Sequence, residues 1–363
     1  MPWRSLYPPG PRKSGRDVRV LHYLELPSQL DRSGIGTAVA HQRTALAETD
    51  VTVRTGLCDA LSVRTLHSPL ADIDLVHCHL IGPGSFAAAR LAKRTDTPLV
   101  LHAHVTAEDF AGSFRFSHTL AGSLAEYLRV FYSQATLVLC PSRYTKRALQ
   151  RYPIEAPIRP ITNGVDLDKF ETFGRYRTEA RAQLDLSGPV VFTVGNVFER
   201  KGVETFCRLA VDTDYEFVWF GPYDTGPLAS KTVRRWTQTP PANVTFTGWI
   251  DDIRTAYAAG DIYLFPTHDE NQGIAVLEAM ACGKPVVLRR LPVFEEYYTH
   301  GEDCLMCETR DEFRAAVDRL ADDPGLRQRL GENARETARD HSLEHLGTEL
   351  TRVYERVRRG RLR

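Results

Sequence analysis

Short apolar runs rich in β-branched residues alternate with amphipathic stretches along the whole chain. This alternation is typical of parallel sheets whose strands are joined by crossover helices. It predicts a first series of strands at Val18–Leu24, Val51–Arg54, Leu75–Cys78, Leu99–Ala103, Leu137–Cys140 and Ile158–Ile161. It predicts a second series at Val190–Gly195, Glu216–Phe220, Val244–Phe246, Asp261–Phe265 and Val286–Leu288. Each series is expected to form one doubly wound α/β domain.

The length also suits two domains, because 363 residues exceed what one compact core usually holds. We expect domains at residues 17–186 and 187–340, divided within the charged stretch before the second series. Residues 1–16 are rich in Pro, Gly, Arg and Ser and lack the apolar segment of a secretory signal, so they are predicted to be a disordered extension and not a signal peptide. From Asp311 the composition predicts helices broken at Pro324, and residues 341–363 are expected to form a C-terminal helix and basic tail.

Composition narrows the functional classes. The 46 acidic and 46 basic residues cancel, which argues against bulk nucleic-acid binding. The seven cysteines are scattered and favour a reducing compartment over a disulfide scaffold, and Cys304 and Cys307 lack the second pair of a structural zinc site. No apolar run approaches the roughly 20 residues that span a bilayer. We therefore expect a cytoplasmic protein, soluble or peripheral to a membrane.

Two carboxylates, Glu270 and Glu278, bracket the start of a predicted helix, with seven residues between them. The helix should begin near Gly273 and end at Gly283, so that Glu270 lies in the preceding loop. Amides at Gly273 and Ile274 would then face an anionic diphosphate, and the carboxylates could accept hydrogen bonds from its hydroxyl groups. A purely structural role for the pair is the alternative. The otherwise apolar helix favours a ligand, since a buried carboxylate needs a partner.

Two cations, Arg200 and Lys201, follow the first strand of the second series. At the carboxyl end of a strand they could neutralise a diphosphate leaving group, although solvated surface cations are the alternative. Because Glu270 follows another strand of the same sheet, we expect both loops to meet at one edge. In the first domain, Gly34 and Gly36 form a loop where a phosphate or sugar could approach the backbone, but the third glycine of a dinucleotide fingerprint is missing.

Histidines follow two neighbouring predicted strands in alternating pairs, His77 with His79 and His102 with His104. Alternating positions share a face, so each pair could line a site or approach a metal, although hydrogen-bonded structural histidines are the default. His104 is favoured for function because a polar loop follows it. The aromatic stretch 110–132 is predicted to be a core-facing helix, with a lipid-acceptor surface as the alternative. The basic C-terminal tail is either a solvated end or attracted to anionic lipid.

From Val18 to about Tyr354 the chain resembles the GT-B retaining glycosyltransferases of family 4. The resemblance rests on Glu270 to Glu278 with Asn271-Gln272-Gly273 between them, on Gly195 to Gly202, and on Asn163-Gly164-Val165-Asp166. The stretches His102 to Phe114 and Gly195 to Gly202 look most similar to the glycosyldiacylglycerol synthase branch. The resemblance implies two Rossmann-like domains facing a central cleft.

The resemblance also implies roles for single residues. Glu278 would bind the ribose of the donor nucleotide, and Glu270 the hydroxyl groups of the donor sugar. Lys201 and the amides near Gly273 and Ile274 would hold the diphosphate. His104 would lie near the transferred sugar, and Gly34 to Gly36 would form the loop that closes on it. One departure is Asn196, where many members carry arginine; either Arg200 supplies that charge or the phosphate site is arranged differently.

These implications converge on a retaining hexosyltransferase that uses a nucleotide diphosphate sugar, with UDP-glucose or UDP-galactose expected from the family. A lipid or glycan acceptor and contact with a membrane surface are expected as partners. Neither a cofactor nor a metal is expected, because no Asp-x-Asp follows a strand. A nucleotide-sugar epimerase of the same architecture and a degenerate nucleotide-sugar-binding protein are the alternatives.

Overall fold

The computed structural model describes residues 17–25, 33–58, 72–106, 117–226 and 229–360, with the backbone alone at residues 57, 58 and 117–121. The predicted N-terminal extension, the polar loop after His104 and the start of the aromatic stretch lie outside the described residues, as does the end of the basic tail. Among the described residues, no helix combines the length and apolarity needed to cross a membrane.

Strands and helices alternate through the described chain. The strands are β1 Val18–Glu25, β2 Val51–Cys58, β3 Leu75–Cys78, β4 Leu99–His102, β5 Leu137–Cys140, β6 Ile158–Pro160, β7 Val190–Val194, β8 Glu216–Phe220, β9 Val244–Gly248, β10 Ile262–Phe265, β11 Val286–Arg289 and β12 Leu305–Cys307. The helices are α1 Gly34–Ala47, α2 Pro83–Arg94, α3 Ser117–Tyr132, α4 Arg143–Leu149, α5 Leu167–Phe170, α6 Arg177–Gln183, α7 Val203–Val211, α8 Lys231–Gln238, α9 Arg254–Ala259, α10 Ile274–Ala281, α11 Arg310–Asp322, α12 Pro324–Arg339 and α13 Leu343–Arg358.

The described chain forms two compact units. Their divisions fall after residue 164 and after residue 342, so α13 belongs with the N-terminal unit, which we call unit 1. Unit 2 contains residues 165–342 and, from the start of α3, the described residues 117–122. The domain boundaries predicted after residues 186 and 340 describe segments that would fold independently. A division into compact units does not test independent folding, so these boundaries stay predictions.

Unit 1 is built on a parallel sheet in the order β2-β1-β3-β4-β5-β6. Its central strands are buried on both faces, as their continuous apolar sequences predict. Helix α13 returns from the end of the chain and packs against α1. The approach is close because Gly347 has no side chain: a Cβ there would lie 2.2 Å from the carbonyl oxygen of Ala45.

Unit 2 is built on a second parallel sheet in the order β12-β11-β10-β7-β8-β9. Strands β7 and β10 are neighbours, although 72 residues separate their start points in sequence. Their carboxyl ends therefore lie side by side at one edge of the sheet, as in other doubly wound folds. The buried core of this unit includes Phe206, Trp219 and Phe313.

The structure confirms the eleven predicted strands to within a few residues at their ends, and Leu75–Cys78, Leu137–Cys140 and Glu216–Phe220 to the residue. It adds β12, which the sequence reading missed because three residues carry too little periodicity. The helix expected after Gly273 is confirmed as α10, and the break at Pro324 is confirmed between α11 and α12. The core-facing interpretation of the aromatic stretch is confirmed for the described end of α3, where Leu128 and Phe131 are buried.

Candidate functional site

The loops after β7 and β10 are joined by hydrogen bonds at the carboxyl edge of the unit 2 sheet. The carbonyl of Arg200 accepts from the backbone amide of His268 at 2.7 Å and from the hydroxyl of Thr267 at 3.2 Å. A guanidinium nitrogen of Arg200 donates to the carbonyl of Asp269 at 3.4 Å. The predicted meeting of the cationic loop with the Glu270 loop is therefore confirmed.

Lys201 and Glu270 form an ion pair within these joined loops. Their side chains are only 15% and 12% exposed, so solvent screens the pair weakly. The backbone amide of Asn271 donates to the second carboxylate oxygen of Glu270 at 3.1 Å. Burial alone would raise the pKa of Glu270, but the charges of Lys201 and Arg200 outweigh it and lower the pKa. The carboxylate is therefore ionised at neutral pH, and Arg200 acts on it electrostatically.

Gly202 sets the position of Lys201. It caps the 3₁₀ turn Glu199–Lys201 with φ +80° and is also the N-cap of α7. A Cβ at this position would lie 2.2 Å from the carbonyl oxygen of Pro266, which precedes the Glu270 loop. Only glycine combines this backbone conformation with so close an approach. The conformation of the cationic loop is thus tied to the end of β10.

Gly202→Ala is expected to destabilise unit 2 by at least about 1–2 kcal/mol, because a left-handed backbone is unfavourable for alanine and the added methyl group meets the Pro266 carbonyl. Urea unfolding measures the loss. Gly174→Ala is the matched control, since a Cβ at Gly174 meets nothing within 4 Å. Equal unfolding midpoints for the two variants would contradict this account of the loop.

Glu278 lies inside α10 and is 6% exposed. The hydroxyl of Tyr257, on α9, donates to one of its carboxylate oxygens at 2.7 Å. Burial, with the nearby Glu278 charge, raises the pKa of Tyr257 well above its ordinary value, so the tyrosine stays a hydrogen-bond donor. The sequence reading took a ligand as the partner that a buried Glu278 needs. The structure corrects that argument, because the protein itself supplies a partner for one oxygen.

The start of α10 follows directly on the Glu270 loop. Gly273 precedes the helix with φ +89°, and the neighbouring Gln272 is fully buried while Asn271 is 8% exposed. The first amides of a helix, here beginning at Ile274, have no acceptor within the helix and carry its positive dipole end. Among the predicted donor-binding residues, the structure thus brings Arg200, Lys201, Glu270, Asn271, Gln272, Gly273 and Ile274 to one edge of the unit 2 sheet.

Asn196 follows β7 in the same connection, where its carbonyl accepts from the amide of Phe198 at 3.0 Å. The guanidinium of Arg200 lies 5.8 Å from the centroid of the Phe198 ring. Asn196 therefore belongs to the turn that leads to the two cations. Its effect on phosphate binding stays a prediction.

The predicted glycine loop of unit 1 has a different structure from that expected. Gly34 and Gly36 lie in the first turn of α1, where the side chain of Ser33 caps the helix by accepting from the Gly36 amide at 3.1 Å. The correction has a physical cause: a serine N-cap starts a helix wherever the following residues permit it. Gly34 is exposed, and a Cβ there would meet nothing within 4 Å.

Five histidines of unit 1 cluster beside the carboxyl ends of β3 and β4: His22 from within β1, and His77, His79, His102 and His104. The sequence reading found four of them and missed His22. Parallel register places His22 directly beside His77. The rings of His102 and His104 stack with centroids 4.1 Å apart. The hydroxyl of Tyr354, from α13, contacts both His22 and His77.

Burial keeps this cluster neutral. It lowers the pKa of His22 to about 3, helped by the charge of Arg43. It lowers the pKa values of His77, His79 and His102 well below the ordinary range, helped by the neighbouring histidines. Neutral imidazoles can donate and accept at once, so the cluster is suited to hydrogen-bonded chains.

Two histidine triplets have nitrogens within 4.8 Å of one another, the spacing at which a metal ion could be held: His22, His77 and His79, and His79, His102 and His104. However, His79 directs one nitrogen to His22 at 3.3 Å and the other to His104 at 3.4 Å. His22 and His77 each direct a nitrogen to the hydroxyl of Tyr354. A metal would have to replace these contacts, which favours a polar network over a metal centre.

Acid is expected to destabilise the protein through this cluster. In the unfolded chain a histidine has a pKa near 6.5, whereas in the folded protein the pKa of His22 is about 3. Between these values the unfolded chain binds more protons, so the free energy of unfolding decreases as the pH falls below about 6.5. His22 alone accounts for about 2 kcal/mol at pH 5, and the other buried histidines act in the same direction. Urea midpoints at pH 7 and pH 5 measure the effect, and equal midpoints would contradict it.

Comparison with known proteins gives a consistent picture over both units. Residues 12–169 match the model of Glycosyltransferase Family 4, and residues 176–337 match that of Glycosyl transferases group 1. The processive diacylglycerol alpha-glucosyltransferase of Acholeplasma laidlawii is 30% identical over 94% of this chain and 98% of its own length. The alpha-galactosylglucosyldiacylglycerol synthase of Streptococcus pneumoniae is 25% identical, over 76% of this chain and 75% of its own.

Solved structures agree on the fold. The Anabaena protein HepE, in complex with UDP-glucose, superposes with a TM-score of 0.75 at 18% identity and covers 93% of this chain and 99% of its own. A sucrose-phosphate synthase from Thermosynechococcus elongatus gives 0.76 at 18% identity, over 94% of this chain and 99% of its own. The predicted GT-B fold is thereby confirmed.

Proposed function

Because the chain belongs to the family 4, group 1 glycosyltransferases, we propose that it transfers glucose or galactose from UDP to a diacylglycerol-type lipid with retention of configuration. Two curated relatives carry diacylglycerol lipids in their names, and both match most of the chain. Their acceptors motivate the lipid part of the proposal. The Lys201–Glu270 pair at the edge of the unit 2 sheet carries the donor part.

The pair supplies opposite charges where a sugar joins a diphosphate. An ammonium group has three donor protons, and one of those of Lys201 goes to Glu270, so two can be directed at phosphate oxygens. The ionised Glu270 accepts hydrogen bonds from sugar hydroxyls. Arg200 adds positive charge at the same edge. The amide of Ile274 adds the positive end of the helix dipole there. Glu278 keeps one carboxylate oxygen, beyond the one bonded to Tyr257, to accept from ribose.

In the proposed reaction, negative charge develops on the diphosphate as the sugar leaves it. The bond between the anomeric carbon and the β-phosphate oxygen breaks, and that carbon forms a bond to the acceptor hydroxyl on the same face. The departing phosphate oxygen takes the hydroxyl proton, so UDP leaves and configuration is retained. Lys201 and Arg200 stabilise the negative charge that grows on UDP. His104 is assigned to the transferred sugar, and neither a metal nor a cofactor takes part.

A lipid acceptor requires contact with a membrane surface, which we place at the cytoplasmic face. Helix α13 has Arg356 and Arg358 in its last turn, and Arg356 is exposed. Basic residues near an anionic surface contribute about 1 kcal/mol each. This contact can be measured by co-sedimentation with vesicles that contain phosphatidylglycerol.

Incubation of the protein with radiolabelled UDP-glucose or UDP-galactose and dioleoylglycerol in mixed micelles tests the proposal. We expect label in a glycolipid whose anomeric carbon has the α configuration by proton NMR. A parallel incubation without lipid tests the epimerase alternative, which would interconvert the two donors. Binding of donor without transfer to any lipid would instead support a degenerate nucleotide-sugar-binding protein and overturn the proposal.

A further inference from the structure

An unbroken series of close contacts links Tyr354 on α13 to His104. The tyrosine hydroxyl lies 3.1 Å from Nε2 of His22 and 2.8 Å from Nδ1 of His77. The other nitrogen of His22, Nδ1, lies 3.3 Å from Nε2 of His79. The other nitrogen of His79, Nδ1, lies 3.4 Å from Nε2 of His104. Tyr354, His22 and His79 are each at most 1% exposed, so water does not compete for these contacts.

Proton counting restricts this series to two arrangements. A neutral imidazole has one N–H and one lone pair, and a tyrosine hydroxyl has one proton. If Tyr354 donates to His77, then His22 must donate to Tyr354 from Nε2. His79 then donates from Nε2 to His22, and His104 from Nε2 to His79.

If Tyr354 donates to His22 instead, every bond reverses. His77 then donates to Tyr354 from Nδ1, His22 donates from Nδ1 to His79, and His79 donates from Nδ1 to His104. In either arrangement, all four histidines carry their proton on the same kind of nitrogen. The direction in which one hydroxyl points therefore decides whether His104 has its proton on Nε2 or on Nδ1.

We propose that Tyr354, His22 and His79 form a hydrogen-bonded chain that holds His104 in a single tautomer. They are positioning residues, because they act through His104. The functional part of this inference rests on the proposed role of His104 at the transferred sugar. A fixed tautomer gives that sugar a constant donor or a constant acceptor. The packing of α13 against α1 holds Tyr354 in place, so the C-terminal helix helps to position the hydrogen-bonded chain.

NMR of the full chain labelled with ¹⁵N-histidine reports the tautomer of each ring directly from its two nitrogen shifts. We expect His22, His77, His79 and His104 to share one tautomer in the wild-type protein. Tyr354→Phe keeps the ring and removes the hydroxyl, so the nitrogen shifts of His22, His79 and His104 should depart from the wild-type pattern. The kcat of hexosyl transfer should fall roughly 3–10-fold, the effect of losing one hydrogen bond, while the KM for the nucleotide sugar changes less than about twofold.

Tyr132→Phe is the matched control, since Tyr132 is also fully buried in unit 1 and its hydroxyl donates instead to the carbonyl of Val105, at 3.4 Å. It should leave the tautomers and kcat unchanged. Different tautomers among the four histidines of the wild-type protein would overturn the proposal. So would unaltered His104 shifts in Tyr354→Phe, or one equivalent of zinc by elemental analysis, because a metal would occupy the nitrogens of the chain.

The shared tautomer is measured on the wild-type protein, so the proposal can be overturned even if Tyr354→Phe folds poorly. The spectrum needs no substrate. If the wild-type protein transfers no sugar, the proposed function fails while the shared tautomer is still measured. If transfer proceeds and the tautomers differ, the chain fails while the proposed function stands.

Discussion

Lys201→Ala is expected to lower the kcat of hexosyl transfer about 10²–10³-fold, the usual effect of removing one group that stabilises transition-state charge. The diphosphate gains negative charge as the sugar leaves, and Lys201 lies where the strand end, the Glu270 loop and the start of α10 meet. Because Lys201 and Glu270 are only slightly exposed, their charges interact more strongly with a bound diphosphate than charges on the surface would. Steady-state kinetics with saturating lipid acceptor measures the change.

A loss of folding must be separated from a loss of chemistry in this variant. Removing Lys201 leaves the carboxylate of Glu270 largely buried without its partner, which costs about 3–5 kcal/mol for a fully buried pair and less at this partial exposure. Thermal unfolding of the variant therefore accompanies the kinetics. Lys231→Ala, which removes an exposed lysine from unit 2, should change neither quantity. A folded Lys201→Ala enzyme with wild-type turnover would disprove the role of Lys201 at the diphosphate.

Glu278→Gln is expected to weaken UDP binding about ten- to a hundredfold, because a hydrogen bond to a charged group contributes about 1.5–3 kcal/mol. Glutamine has the size of glutamate, and its amide oxygen can still accept from Tyr257, so α10 should keep its packing. The carboxylate that would accept from ribose is lost. Isothermal titration calorimetry with UDP measures the dissociation constant.

The control for this variant is Glu336→Gln, which changes an exposed carboxylate on α12 and should leave the affinity unchanged. Unchanged UDP affinity in Glu278→Gln would mean that Glu278 has only the structural role that its bond to Tyr257 already provides.

The sheets could be predicted from the sequence because parallel strands buried on both faces leave continuous apolar runs. The meeting of Lys201 with Glu270 could be predicted as well, since both follow strands of one sheet. The short strand β12 could not, because three residues show no period. The helical position of Gly34 and Gly36 could have been predicted from Ser33, which is a preferred N-cap residue. The two glycines indicated a loop instead.

The partners of the buried polar groups could not be predicted, because tertiary packing supplies them. Tyr257 reaches Glu278 from a different helix. His22 lies in an apolar strand, and only the register with β3 brings it beside His77. Tyr354 comes from the far end of the chain, 332 residues after His22, and nothing in its own segment marks it. The chain from Tyr354 to His104 is thus visible only in three dimensions.

A crystal structure of the protein soaked with UDP-glucose tests the central claim most directly. We predict diphosphate oxygens within hydrogen-bonding distance, about 2.7–3.2 Å, of Nζ of Lys201 and the amide of Ile274. Glu270 should accept from the glucose hydroxyls and Glu278 from the ribose. Density for the nucleotide elsewhere in the molecule, with Lys201 and Glu278 both away from it, would contradict the account.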